Sequence, residues 1–163
     1  MFEWLKSWFR KKEPVVIPAA DKPKDPAWVT IAQKYIGMKE VVGNSDNDKI
    51  VELWKIAKTT TKVSDDETPW CAAFVSACIE QAGFTSARTG WARSYLNWGL
   101  KLQAPVRGCV VVFSRGSIYG HVGFYMGRAS NGKMLILGGN QNNEVGIVEF
   151  DDKTVLGYRW PKS

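Results

Sequence analysis

The chain is short of the residues that would suggest several common functions. It has 3 cysteines in 163 residues and none form a CxxC pair, so neither a disulfide framework nor a four-ligand zinc site is expected. The same scarcity favours synthesis in a reducing compartment. There is 1 histidine, which leaves no HExxH zinc motif and gives any Cys/His chemistry one possible partner, His121. No apolar run approaches the roughly 20 residues of a membrane span, and the opening MFEWLKSWFRKK is too broken by charge for a signal peptide. Phosphate-cradling GxxxxGK[ST] and GxGxxG motifs are missing, so no cofactor and no metal are expected. Acidic residues are absent between Glu80 and Glu144, whereas Arg88, Arg93, Lys101, Arg107, Arg115, Arg128 and Lys133 all lie there. Any site built from that region is electropositive.

What is present reads as one folded domain, because hydrophobic residues make up 45% of the chain, charged residues 23%, and the net charge is only +6. Residues 1 to 25 are set apart as a basic amphipathic arm and a Pro-rich linker. Phe2, Trp4, Leu5, Trp8 and Phe9 alternate there with Lys6, Arg10, Lys11 and Lys12. Residues 1 to 12 are a candidate contact for an anionic membrane or envelope, or else a tail packed on the domain. The domain proper spans 26–163 and opens on helical spacing at Trp28, Ile31, Ala32 and Tyr35, with Asp25 as cap and Pro26 at the first position. A second helical pattern runs through Ile50, Leu53, Trp54 and Ala57. A third, WCAAFVSACIEQA, is predicted to be capped by Thr68 and Pro69 and stopped by Gly83. A fourth helix is predicted from about Trp91 to Trp98. From Cys109 onward short β-branched and aromatic runs predict an antiparallel meander. Helices first and strands second is the α+β class, with N-terminal helices on a C-terminal sheet of about five strands.

Cys71 falls in the first turn of the third helix, where the positive end of the helix dipole favours thiolate over thiol. Free cysteine is also often just a small buried hydrophobe, the reading preferred for Cys78 and Cys109. His121 opens a strand after Gly120, and a helix start packed on a strand end can bring base and thiol together. An imidazole base needs a third group to fix its tautomer. Antiparallel register from a loop near Ser130 brings GGNQ opposite His121, which makes Asn140 the preferred third residue and Gln141 the alternative. GGNQNN is equally a turn sequence, and both readings can hold. Trp70, beside the thiol, is a candidate for the wall of a substrate cleft, together with Gly120 and Gln141. The cluster Asp65, Asp66 and Glu67 reads as charge near a helix start.

PWCAAFVSACIEQAG, ARSYLNWG, GHVGFYMG, GGNQNNEVGI and VLGYRWP, in that order, resemble the phage-type branch of the NlpC-type and CHAP (cysteine, histidine-dependent amidohydrolase/peptidase) superfamily. The resemblance runs from about Pro26 to Pro161. It implies a papain-like fold and a monomeric endolysin-like enzyme that cleaves a peptidoglycan amide, as endopeptidase or N-acetylmuramoyl-L-alanine amidase. Its nucleophile would be Cys71, its base His121 and its third residue Asn140. Such an enzyme would be made in the host bacterial cytoplasm and act on the wall from the periplasm or envelope. Trp70 stands where common NlpC-type members carry Asp. The rival readings are a non-catalytic cell-wall binding module and a basic nucleic-acid-binding domain. Against the second, the strands are largely apolar rather than lined by aromatics interleaved with basic residues, so no nucleic-acid partner is expected.

Overall fold

The structure is a computed structural model and describes residues 24–41, 47–60 and 69–163. Residues 1–23 of the expected arm and linker, the Thr68 cap and the acidic cluster at 65–67 lie outside the described residues. Among those described, no helix is long and apolar enough to cross a membrane.

Among the described residues three α-helices precede a six-stranded antiparallel sheet, which makes the domain α+β as expected. Helix α1, Ala27–Gln33, is shorter than the pattern suggested. Its cap position is Pro26, without a side-chain cap bond. Asp25 is instead held by Arg107 (Nε to Oδ1, 2.6 Å) and Gln33 (3.1 Å), which pins the helix start to the sheet side of the molecule. Helix α2, Asp48–Ile56, is capped by Asn47, whose side chain accepts from the Lys49 N–H. It buries Ile50, Leu53 and Trp54. Helix α3, Cys71–Gln81, is buried over nine consecutive residues from Cys71 to Ile79. Near its end Glu80 accepts from the N–H and Oγ of Ser86 and from Arg88, which ties down the chain leaving the helix.

The predicted fourth helix is a 3-10 helix, Ala92–Asn97, between extended residues at Trp91 and Trp98. Tight turns of this kind suit a short connector with one buried side, here Ala92 and Tyr95.

The strands are β1 Leu100–Leu102, β2 Val110–Arg115, β3 Tyr119–Arg128, β4 Met134–Gln141, β5 Glu144–Phe150 and β6 Val155–Trp160. Their order is β1-β6-β2-β3-β4-β5. The meander therefore holds for β2 to β5, but β6 leaves it and returns beside β2, where the three-residue β1 joins it. β1 is the strand beyond the expected five, and its three residues carry no usable periodicity.

Alternation along the strands divides the interior in two. Val110, Val112, Val122, Phe124 and Leu137 face the helices in the main core. Cys109, Val111, Phe113, Met134 and Ile136 form a second cluster, packed by Phe150, on the other face. Gly139 makes the helical packing possible: a Cβ there would sit 2.6 Å from the Trp70 ring and 2.7 Å from the Phe74 Cβ. Only glycine lets α3 approach β4 so closely.

Candidate active site

Cys71 begins α3 and is 5% exposed, in the main core rather than at an open helix start. Its thiol reaches the backbone N–H of Val122, the residue after His121, and is also faced by the N–H groups of Ala72 and of Cys71 itself. Burial pushes its pKa up, against these donors and the charge of Arg115. The helix start acts in the expected direction but desolvation outweighs it, so the resting group is a neutral thiol rather than a thiolate. Cys78 and Cys109 are buried and free, as core residues would be.

His121 is fully buried. Its ring stacks on Phe150 (centroids 5.2 Å apart, planes 5° apart) and lies near Phe113, its partner across β2. Burial, with Arg115 as a lesser cause, lowers its pKa to about 4 against the opposing bond from Gln141, so the ring is neutral. The tautomer follows from the neighbours. The Gln141 amide nitrogen donates to two backbone carbonyls, Ile136 O at 3.1 Å and Gly146 O at 2.7 Å, which fixes the side-chain orientation. Its oxygen must then be the atom 2.9 Å from His121 Nε2, and Nε2 must carry the proton. Nδ1 is left as a bare acceptor, buried and without a hydrogen-bond partner among the described residues.

It is thus Gln141, not the preferred Asn140, whose side chain meets His121. Continuing the pairing Phe124↔Leu137 does bring position 140 opposite position 121. At this point the β4–β5 register shifts between Gly138 and Gln141, and Asn140 has φ 54. A residue in the left-handed region inside a bulge resets the alternation, so the next side chain takes the face that the flat-strand count assigned to its predecessor. Asparagine tolerates that conformation, which accounts for Asn140 through its backbone.

Two further expectations are corrected. Trp70 offers nothing to a substrate: it is completely buried, packed on Gly139, with its indole N–H donating to Glu40 Oε1 at 2.7 Å. Gln141, 3% exposed, supports the histidine instead of lining a cleft. Gly120 does line an open pocket, beside Pro69, Trp91 and Tyr119.

The thiol meets β3 at the Val122 N–H, the imidazole belongs to the preceding residue of the same strand, and no hydrogen bond joins the two in this structure. A buried thiol beside main-chain donors and a neutral imidazole with an accepting nitrogen on the neighbouring strand residue are the two groups that Cys/His proton exchange requires.

The CHAP domain family model matches residues 63–140. This segment is similar to a CHAP domain. The CHAP-like segment contains both Cys71 and His121 and stops one residue short of Gln141. A solved structure described as similar to a lipoprotein of the NLP/P60 family, from Staphylococcus aureus subsp. aureus Mu50, is similar with a TM-score of 0.49 and 15% identity. The likeness covers 85% of this chain and 43% of that one, so this chain spans less than half the length of that protein. Among curated proteins none matches.

Proposed function

We propose that the chain is a cysteine-dependent hydrolase of an amide bond in bacterial peptidoglycan. The observation that carries this reading is the fixed tautomer of His121, with Nε2 held by Gln141 and a buried Nδ1 that has no partner among the described residues. A histidine kept only for packing has no need of an amide oriented by two carbonyls or of an empty acceptor. The CHAP-like match across Cys71 and His121 supports the same chemistry.

In the proposed reaction Nδ1 takes the Cys71 proton as sulfur attacks the amide carbonyl carbon, and the developing oxyanion accepts from the Cys71 backbone N–H. The C–N bond then breaks, the amine leaves with the proton held on Nδ1, and a thioester remains on Cys71. Water, deprotonated by the same nitrogen, releases the acyl group as a carboxylic acid and restores the thiol. Gln141, not Asn140, is the positioning residue for the base.

The order of motifs from PWCAAF to GYRWP further supports a lysis enzyme of the phage type. The test is digestion of purified peptidoglycan followed by mass analysis of the fragments. New amino termini on amino acids alone identify an endopeptidase, and freed lactyl carboxyls identify an amidase. No release of either, by a protein whose Cys71 is intact, would reject the enzyme in favour of a non-catalytic wall-binding module. Deleting residues 1 to 24 is expected to leave this digestion intact and to weaken binding to anionic vesicles at low salt, if the arm makes envelope contact.

A further inference from the structure

We infer that the pocket between α2, the 3-10 helix and the start of β3 is a subsite for one N-acetylated hexose ring. This rests on the peptidoglycan reading for the substrate class, since the pocket borders Gly120, which precedes the proposed base, and Pro69, two residues before the nucleophile.

Three observations point to this ligand. First, Trp91 and Tyr119 are 59% and 64% exposed, yet their rings lie parallel, 6.4 Å apart and 13° from coplanar. Large aromatic faces held open to water at the mouth of a pocket suit the apolar face of a sugar ring. Second, the position of Tyr119 is enforced. Arg93 donates to Tyr119 O at 2.9 Å and to Gly116 O at 2.8 Å, so its guanidinium is occupied in holding the loop. Those carbonyls take up Arg93 donors that would otherwise be free for a ligand, although the guanidinium keeps its charge. Third, Trp54 forms part of the wall, is 5% exposed, and has a buried indole N–H with no acceptor among the described residues. A buried donor left unmet is unfavourable until an acceptor arrives. A carbonyl on a small apolar group meets that requirement, and an acetamido substituent is such a group. The volume, about 240 Å³, is below the range of about 300 Å³ and upward for drug-sized ligands, which fits a single ring with its substituent rather than a length of polymer.

The experiment is a titration of the full-length protein, followed through its indole N–H signals by NMR, with the N-acetylglucosamine trimer, with cellotriose and with a free stem tetrapeptide. Cellotriose has the same ring faces but no acetamido group. The Trp54 and Trp91 signals should move with the acetylated trimer, which should bind at least about fivefold more tightly than cellotriose. W54F, which removes the donor together with part of a buried ring, should erase that preference while leaving the Trp91 stacking, with unchanged circular dichroism as the check on folding. W91A, at an exposed position, should weaken both sugars without altering thermal unfolding. Equal binding of the two sugars to the wild type, absence of any shift, or stronger occupation of the pocket by the tetrapeptide would each overturn the subsite. Peptidoglycan digestion without sugar binding removes the subsite alone. Sugar binding with no digestion removes the hydrolase reading alone.

Discussion

The first turn of α3 and its middle carry the same chemical group in different surroundings. Cys71 and Cys78 lie seven residues apart on one face of one helix, both buried, and burial raises both pKa values. For Cys78 burial acts alone, and the thiol is pushed well above its ordinary range. For Cys71 the Val122 N–H, the first-turn amides and Arg115 work against it. A helix start is therefore not sufficient to make a reactive cysteine. What separates the two is a strand whose main chain, at Val122 beside His121, offers a donor to one thiol and not to the other.

The comparison breaks most directly if Cys71→Ala keeps activity. The expected loss of peptidoglycan digestion is at least about 10³-fold with unchanged circular dichroism. Cys78→Ala should instead lower stability by about 1 kcal/mol or more in urea unfolding and leave the turnover number unchanged. Digestion by a folded Cys71→Ala protein would end the thiol mechanism.

Next in size is Gln141. Gln141→Ala frees the His121 tautomer and should reduce kcat about 10²-fold. Asn140→Gly should keep near-normal activity, because glycine accepts the same backbone conformation. Asn140→Ala should cost about 1 kcal/mol of stability through strain. If instead Asn140→Gly were impaired and Gln141→Ala normal, the assignment of the positioning residue would be reversed.

A third measurement concerns acid. His121 titrates at about 4 when folded and at about 6.5 when exposed, so the unfolded chain binds more protons between those values. Its contribution is fully present above pH 6.5 and declines as pH falls, by up to about 3 kcal/mol at pH 4 and below. Urea midpoints at pH 7 and pH 4.5 should diverge in the wild type and converge in His121→Asn. The acid limb of kcat/KM should likewise lie nearer pH 4 than 6.5.

The smallest effect sharpens the contrast between the thiols. Alkylation of native protein by iodoacetamide, mapped by mass spectrometry, should label Cys71 slowly at pH 7 and faster as pH rises, while Cys78 stays unlabelled until unfolding. Fast labelling of Cys71 at pH 6 would mean that the donors outweigh burial.

By itself the sequence determined the order of helices and strands, the position of Cys71 in a first turn, the opening of a strand at His121 and the return of GGNQ opposite it. These are local properties, readable from capping residues, periodicity and pairing counts. The depth of the thiol, the burial of Trp70 and the identity of the residue that holds His121 were decided by tertiary structure. Each depends on what packs against the segment: α3 seated on Gly139 covers Trp70 and Phe74, β3 meets Cys71 at Val122, and the bulge at Asn140 exchanges the faces of neighbouring side chains. The aromatic pocket belongs to the same class, because Trp54, Trp91 and Tyr119 come from separate elements and share no spacing that a linear pattern could reveal. A count along a flat strand cannot foresee a bulge, since inserting one left-handed residue reverses every assignment after it.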